Sequence, residues 1–240
     1  MWDKAAISLS VFFPCHNEQE NIERVVRQAQ EVLPTICADY EIIIVNDGST
    51  DGTAEIADAL AREHPLIRVV HHSVNRGYGG ALQSGFRTAC KKWVFYTDGD
   101  GQFDIQELPG LLKRIDNCDI VTCYRINRQD TWLRKFNGWA WSTLVNLVFH
   151  FKIKDVDCAF KLYRREIFDR IELHSEGALI DAEILARAHR AGYRITQCGV
   201  RHYPRTAGEQ SGANCKVILR AFKELFKLRK QINPGKRTKD

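Results

Sequence analysis

The feature that most constrains this fold is the alternation, in the first half of the chain, of short apolar runs with segments of helical periodicity. Strands are predicted at residues 7–13, 41–47, 67–72 and 93–98, with helices between them at 18–33, 51–63 and 79–90. This order is typical of βαβ units, which build a mostly parallel sheet with helices on its faces. We therefore expect an α/β fold, and we expect Pro34 to end the first helix.

The second half of the chain is less regular. Its predicted elements are a strand near 119–122, a helix at 132–150, a helix at 177–191, a strand from Arg194 and a last helix at 214–232. A chain of 240 residues can bury one sizeable core. We predict one domain over residues 1–212, followed by a basic amphipathic helix and tail over 213–240.

The positive charge of the chain is concentrated in that tail. The net charge is +5, but residues 213–240 carry nine Lys or Arg and two acidic residues, which leaves −2 for residues 1–212. Basic residues recur on one face of the predicted tail helix, at Lys216, Arg220, Lys223, Lys227 and Lys230. Such a helix can lie on an anionic membrane or pack its apolar face on the domain, and the sequence leaves both open.

The sequence carries no recognisable targeting or membrane-spanning segment. Its first apolar run is too short, and Pro14 too early, for a signal peptide. The stretch 136–151 is interrupted by polar residues and falls short of the roughly 20 apolar residues that a spanning helix needs. Eight scattered cysteines without a C-x-x-C pair disfavour a zinc site or a disulfide scaffold. We expect a cytoplasmic protein, peripheral on the cytoplasmic face of a membrane if its tail binds lipid.

Polar, glycine-containing segments follow three of the predicted strands: PCHNE, NDGSTDGT and TDGDGQFD. Open α/β sheets bind ligands at the carboxyl ends of their strands. In the last segment Asp98 and Asp100 lie two residues apart, and two crowded carboxylates repel each other unless a cation or a proton intervenes. Carboxylate ligands suit Mg²⁺ or Mn²⁺, which share their coordination with substrate phosphates. The alternative is a solvated acidic turn.

The other polar segments exclude two common kinds of nucleotide-binding site. Asp47 ends the second strand and could accept a hydrogen bond from a base or a ribose, whereas helix capping explains residues 49–51. The glycines of NRGYGGALQSG do not fit a dinucleotide fingerprint, because Leu82 fills the sixth position and the motif follows the third strand. No P-loop motif occurs either. These departures exclude a Rossmann dehydrogenase and a P-loop enzyme.

Basic residues flank the apolar segment WAWSTLVNLVFHF. They are Arg125, Arg128, Arg134 and Lys135 before it, and Lys161, Arg164 and Arg165 after it. The forked donors of arginine suit phosphate, so this pattern predicts an anionic head group beside an apolar surface. A core helix with surface charges at its ends explains the pattern equally well.

Six segments, in order along the chain, resemble motifs of the family 2 glycosyltransferases of the GT-A fold. The resemblance is to the branch of the dolichol-phosphate mannose synthases and bacterial polyprenyl-phosphate sugar transferases. The segments are PCHNE, VNDGSTDGT, NRGYGGALQSG, TDGDGQ, DVDCAFKLYRR, and AEILARAHRAGYRI with PRTAGEQS. They extend from Val11 to about Gly212, and six ordered matches are far more specific than any one.

The resemblance implies a Rossmann-like, mostly parallel sheet flanked by helices, and an inverting, metal-dependent transfer of a hexose. The donor would be a GDP- or UDP-hexose and the acceptor a polyprenyl (dolichyl) phosphate, with a membrane-protein partner possible and no nucleic acid. The implied donor contacts are Pro14, His16, Glu18, Asp47, Asp98 and Arg205. The implied ligands of Mg²⁺ or Mn²⁺ are Asp98, Asp100 and Gln102. The implied acceptor contacts are Arg125, Arg134 and Lys161, and the implied catalytic residues are Asp98, Asp100 and Arg125.

Some positions depart from the family pattern. Asn46 replaces an aspartate, His16 stands where tyrosine is frequent, and Pro204 replaces the acidic residue before Arg205. Two other functions stay open. One is transfer to a hydroxyl of a saccharide or glycolipid, for which Asp181 is the candidate general base. The other is a catalytically silent subunit that binds a nucleotide sugar.

Overall fold

The computed structural model of the chain describes residues 4–128, 131–205 and 215–232. The strands are β1 (Ser8–Cys15), β2 (Asp39–Asn46), β3 (Ile67–His71), β4 (Trp93–Thr97), β5 (Ile120–Ile126), β6 (Phe160–Arg164) and β7 (Ile195–Arg201). They form one sheet in the order β3-β2-β1-β4-β6-β5-β7. Only β6 among these strands runs antiparallel to its neighbours.

Helices cover both faces of this sheet. They are α1 (Ile22–Ile36), α2 (Thr53–Glu63), α3 (Gly77–Thr88), α4 (Leu108–Leu112), α5 (Trp132–Phe149), α6 (Ile167–Arg170), α7 (Ile180–Arg190) and α8 (Cys215–Ile232). The predicted α/β class and the mostly parallel sheet are confirmed. The middle of each of β1, β2 and β4 is a run of buried apolar side chains, as expected of parallel strands covered by helices on both faces.

Aromatic rings fill the core between α3 and the middle of the sheet. The ring centroid of Phe12 on β1 lies 4.9 Å from that of Phe86 on α3 and 5.4 Å from that of Tyr96 on β4. Such pairs contribute about 0.5–1.5 kcal/mol each beyond the burial of their area. This packing fixes α3 against the two central strands, whose carboxyl ends carry the candidate site.

One predicted feature of secondary structure was wrong, and one strand was not predicted. Pro34 does not stop α1 but lies inside its last turn, and the helix ends where the Cys37 amide donates to the Leu33 carbonyl at 3.0 Å. Proline has no N–H, so Pro34 removes the one helical hydrogen bond that its amide would donate, and the helix continues only to Ile36. The strand β6 was not predicted, because its sequence FKLYR mixes apolar with basic residues and pairs only with strands distant in the chain.

The C-terminal helix packs its apolar side on the domain. Leu225, Leu228 and Ile232 are buried, and the Phe222 ring lies 5.8 Å from that of Trp141 on α5. Lys227 is exposed, and so are Arg229 and Lys230. The predicted boundary between residues 212 and 213, and the side chains of Lys216, Arg220 and Lys223, lie outside the described residues.

Two further observations concern the described part of the chain only. None of its helices combines the length and the apolar character needed to span a lipid bilayer. The cysteine side chains described there are all free thiols.

Candidate active site

Three polar segments meet at the carboxyl edge of the sheet. The Asp47 amide, after β2, donates to the Cys15 carbonyl at 2.9 Å, and the Gly99 amide, after β4, donates to the Pro14 carbonyl at 3.4 Å. Since β1 lies between β2 and β4, these bonds gather the side chains of His16, Glu18, Asp47, Asp98 and Asp100 at one edge.

Asp98 and Asp100 form the carboxylate pair of this edge. The Tyr78 hydroxyl donates to Asp98 Oδ1 at 3.0 Å, and the backbone amide of Gln102 donates to Asp100 Oδ1 at 3.0 Å. Burial and the neighbouring charge of Asp100 raise the pKa of Asp98 to about 8. A divalent cation relieves this kind of repulsion, so the pair fits Mg²⁺ or Mn²⁺.

Gln102 is held beside the pair. Its Nε2 donates to the Tyr203 carbonyl at 3.1 Å, which leaves Oε1 as the atom suited to a cation. Nowhere in the described residues do three or more His, Cys, Asp or Glu side chains converge as metal ligands. The candidate set is therefore two carboxylates and one amide, with further positions left to water and substrate oxygens.

The turn between Asp100 and Gln102 requires glycine. Gly101 has a φ of +72°, and a Cβ built on it would lie 2.0 Å from Nη2 of Arg24. A side chain at this position would therefore meet both backbone strain and a guanidinium. The turn returns the chain directly to Gln102, so both oxygen-bearing side chains stay at the same edge.

Arg205 joins this edge to the segment that follows β7. Its Nη2 lies 2.7 Å from Glu18 Oε1, and its Nη1 lies 3.5 Å from Asp100 Oδ2. Burial raises the pKa of Glu18, although the bonds from Asn21 and Arg205 oppose that rise. The guanidinium is thus next to the candidate cation site, where the resemblance places the donor diphosphate.

Asp47 is oriented from two sides. Its Oδ1 accepts from the Arg76 amide at 2.8 Å and lies 2.6 Å from His72 Nδ1, whose ring Nε2 lies 2.8 Å from Ser84 Oγ. Because a carboxylate only accepts, the His72 Nδ1 carries a proton and donates it to Asp47, while Nε2 and the Ser84 hydroxyl form a hydrogen bond. The side chain of His16 contacts the backbone of Asp47, with its Nδ1 3.0 Å from the Asp47 carbonyl oxygen. We interpret the chain from Ser84 to Asp47 as a support for the donor-side carboxylate.

Lys161 and Asp181 lie beneath the edge rather than on it. Lys161 Nζ donates to Asp181 Oδ1 at 2.6 Å and to the Tyr96 hydroxyl at 3.2 Å, and the Tyr96 hydroxyl also donates to Asp181. The lysine is fully buried and Asp181 is 2% exposed. In this conformation neither the predicted acceptor lysine nor the candidate base reaches a substrate.

A basic cavity of about 490 Å³ opens beside the carboxylate edge. Its lining residues are Tyr124, Arg125, Asn127, Arg128, Lys135, Gly138, Trp139, Lys154 and Asp155. Because β6 runs antiparallel, the segment that enters it lies at the same edge as the carboxyl ends of β4 and β5. The cavity and the carboxylate pair therefore share one edge of the sheet.

Arg125 is fixed in the cavity wall. Its Nε and Nη2 donate to the two oxygens of Asp155 at 2.7 and 2.8 Å. Although burial alone would raise the pKa of Asp155, the guanidinium holds it below the usual value. Arg134, the remaining predicted acceptor residue, is half-buried in the first turn of α5 and does not line the cavity.

Residues 10–172 match the family described as glycosyl transferase family 2. This chain is a family 2 glycosyltransferase. Among its relatives, glycosyltransferase AglD of Haloferax volcanii is 33% identical over 84% of this chain and 34% of its own length. The chain thus spans about a third of that relative.

Two other relatives have more informative names. Dodecaprenyl-phosphate galacturonate synthase of Rhizobium johnstonii is 28% identical over 96% of this chain and 70% of its own length. Dolichyl-phosphate beta-glucosyltransferase ALG5A of Trichomonas vaginalis is 31% identical over 83% of this chain and 67% of its own length. The predicted resemblance to polyprenyl-phosphate sugar transferases is confirmed.

Solved structures establish the fold of this glycosyltransferase as GT-A. Glucosyl-3-phosphoglycerate synthase from Mycobacterium tuberculosis, bound to phosphoglyceric acid, superposes with a TM-score of 0.73 at 18% identity, over 98% of this chain and 83% of that one. Its complex with Mn²⁺, UDP-glucose and phosphoglyceric acid gives 0.74 at 17%, with the same coverage.

The structure adds three residues to the candidate site that the sequence does not predict. Asp155 pairs with a residue 30 positions away, so its pattern in the sequence gives no local signal. The ammonium of Lys154 lies 4.2 Å from the ring centroid of Tyr124, which is also 30 positions away. The sequence gives no signal for His72 either, and only the spatial order Ser84, His72, Asp47 shows its place.

Proposed function

We propose that this glycosyltransferase transfers a hexose from a nucleoside diphosphate sugar to a polyprenyl phosphate, with inversion at the anomeric carbon. The observation that carries this proposal is the basic cavity at the edge that also holds the carboxylate pair. One border of that cavity is Trp139, an exposed side chain of α5 that offers an apolar surface to a lipid. Relatives named for dodecaprenyl and dolichyl phosphate support the same acceptor class.

The donor side would be formed by the ends of β1, β2 and β4. Asp98, Asp100 and Gln102 would hold Mg²⁺ or Mn²⁺, which when bound stabilises the charge developing on the leaving diphosphate. Arg205 would add its charge to the same diphosphate. Pro14, His16 and Glu18 would line the nucleotide.

Asp47 would accept a hydrogen bond from the base of the donor. Guanine and uracil both present an N–H to such a carboxylate, so this contact serves a GDP- and a UDP-sugar alike. The bonds from the Arg76 amide and His72 keep its Oδ1 fixed. The contact would therefore orient the donor rather than select it.

The acceptor phosphate needs no general base, because it is already anionic near neutral pH. Arg125, Arg128, Lys135 and Lys154 would lower its repulsion from the donor and hold an oxygen in line with the anomeric carbon. Both oxygens of Asp155, the carboxylate of this cavity, already accept from Arg125. With Asp181 buried and ion-paired, the described residues favour a phosphate over a hydroxyl acceptor.

Mass spectrometry of the products, together with NMR of their anomeric configuration, tests this proposal. The full chain is incubated with UDP- or GDP-hexoses, Mg²⁺ or Mn²⁺, and a short polyprenyl phosphate, with the matching polyprenol as the hydroxyl control. We expect a polyprenyl-phosphate hexose of inverted configuration and nucleotide release that depends on the lipid phosphate. Equal transfer to the polyprenol, or no release with any donor, would overturn the proposal. If transfer appeared only after native membranes were added, and not after protein-free vesicles of the same lipids were added, a membrane-protein partner would be required.

A further inference from the structure

Two cysteines face each other across neighbouring strands of the sheet. Cys123 on β5 and Cys198 on β7 are direct partners in the parallel pairing of these strands, and their Sγ atoms lie 3.4 Å apart. Neighbouring strands are about 4.8 Å apart, which falls within the range of about 4.4–6.8 Å between the Cα atoms of a disulfide. The two thiols are therefore close enough to be joined without a change in the register of the sheet.

The two thiols differ in their surroundings. Cys123 is 1% exposed, whereas Cys198 is 8% exposed and lies under the influence of the Arg114 guanidinium. The hydrogen bond from the Cys123 thiol and the charge of Arg114 hold the pKa of Cys198 below its ordinary value, although burial opposes this. The same hydrogen bond, together with burial, raises the pKa of Cys123. The thiolate, which is the reactive form, therefore belongs to Cys198, and Cys123 carries the proton.

A third cysteine shows the opposite combination of properties. Among the cysteines whose side chains the structure describes, Cys90 alone is exposed. Its pKa is raised, first by the hydrogen bond with Glu41 and then by burial. Exposure alone would make Cys90 the first thiol to be oxidised, whereas thiolate character favours Cys198. The two criteria therefore predict different sites of oxidation in this chain.

Packing alone does not account for the pair on β5 and β7. Buried cysteines commonly serve as small apolar side chains, and Cys158, which is fully buried near Cys123, fits that role. Cys198 differs because it is partly accessible and has a cation nearby. A partly accessible thiol with a lowered pKa, in contact with a second cysteine, is typical of redox-sensitive pairs.

We propose that Cys198 and Cys123 form a reversible disulfide when the chain meets hydrogen peroxide. The Cys198 thiolate attacks one peroxide oxygen, the O–O bond breaks, and a sulfenic acid forms with release of hydroxide. The Cys123 sulfur then attacks the sulfenic sulfur, the S–O bond breaks, and the hydroxyl group leaves as water with the Cys123 proton. Two thiols and one hydrogen peroxide thereby give one disulfide and two molecules of water, and the two electrons lost by sulfur reduce the O–O bond.

The consequence for transfer rests on the proposed function. Cys123 lies two residues before Arg125 on β5, so both side chains lie on the same face of the strand. A movement of Cys123 towards β7 is therefore passed directly to the guanidinium that Asp155 holds. Arg205, on the donor side, lies seven residues beyond Cys198. We expect the disulfide to weaken use of the acceptor phosphate and to leave donor binding unchanged.

Peptide mapping by mass spectrometry tests the disulfide. The reduced full chain is treated with increasing amounts of hydrogen peroxide, its remaining thiols are blocked with iodoacetamide under denaturing conditions, and it is digested without reductant. We expect a peptide that links Cys123 to Cys198, and that dithiothreitol separates, at peroxide concentrations that leave Cys90 a free thiol. In Cys123→Ala, which lacks the second thiol, dimedone should instead label Cys198 as a sulfenic acid.

The matched control is Cys90→Ala, which should form the same link as readily as the parent. Absence of the linked peptide in a chain whose Cys90 is already oxidised would overturn the proposal, because exposure would then decide the site. A link from Cys158 to either strand cysteine, in place of the expected one, would overturn it as well.

Transfer assays separate this inference from the proposed function. The linked protein should have a kcat/KM for the lipid phosphate about tenfold below that of the reduced protein, an unchanged donor KM, and full recovery in dithiothreitol. Cys123→Ala given the same peroxide should not show this loss. Linkage without transfer in either redox state would refute the proposed function and leave the disulfide in place. Linkage with an unchanged kcat/KM would refute the effect of the disulfide on the acceptor side.

Discussion

The two sides of the site are built in opposite ways. On the proposed donor side the side chains of Glu18, Asp47 and Asp100 are nearly buried, and each already contacts a residue that follows another strand. On the acceptor side an open cavity adjoins large apolar side chains that face solvent. The proposed donor side is therefore organised by contacts within the chain, whereas the proposed acceptor side presents an open cavity and exposed apolar side chains.

The largest expected effect comes from the carboxylate pair. Asp98→Asn and Asp100→Asn should each lower nucleotide release by about 10³-fold, since each removes a ligand of the cation that supports the leaving diphosphate. Removing the metal with EDTA should have the same effect on the unchanged protein. In the absence of metal the Asp98→Asn variant should melt no lower than the parent, because the substitution relieves a repulsion. Activity within tenfold of the parent would show that the donor side is organised around other residues.

The next largest effect concerns the ion pair beneath both sides. Lys161→Met should lower the free energy of unfolding by about 3 kcal/mol or more, because it leaves Asp181 charged and unpaired in the interior. Urea denaturation measures this, and adding Asp181→Leu should restore most of the loss. If Lys161→Met instead left stability unchanged and abolished acceptor binding, the lysine would belong to the acceptor side.

A smaller effect is expected at the cavity wall. Arg125→Lys keeps the charge but loses the fork, so kcat/KM for the lipid phosphate should fall about 10- to 100-fold while the KM for the donor stays unchanged. The matched control is Arg164→Lys, whose guanidinium pairs with Asp119 at the opposite end of β6, and which should leave both constants near those of the parent. An increase in the donor KM of the Arg125 variant would contradict the assignment of Arg125 to the acceptor side alone.

The smallest effect is expected from the support behind Asp47. His72→Asn should raise the dissociation constant of the nucleotide about 3- to 10-fold, because one hydrogen bond that orients the carboxylate becomes weaker. Ser84→Ala, one step further away, should change it less. Calorimetric titration with the nucleoside diphosphate measures both values. A change confined to acceptor kinetics would contradict this assignment.

The sequence predicts the proposed donor side better than the proposed acceptor side. The donor side depends on short segments at the ends of parallel strands, and both their composition and their shared edge follow from the βαβ pattern. The acceptor side depends on contacts without local pattern, such as that between Arg125 and Asp155. Alternation in FKLYR does not tell which face of β6 Lys161 occupies, so its burial against Asp181 emerges only from the packing of α7 on the sheet.

The antiparallel pairing of β6 has a further consequence for the residues that line the basic cavity. The chain leaves the sheet at the end of β5 and returns to it at β6, and these two strands are adjacent. The end of β5 and the segment that follows it supply every residue that lines the basic cavity. Because both ends of this stretch lie on adjacent strands, one continuous part of the chain can vary without displacing the strands that carry the carboxylate pair. If the cavity binds the acceptor as proposed, exchange of this stretch between relatives should change acceptor preference and leave donor binding unchanged.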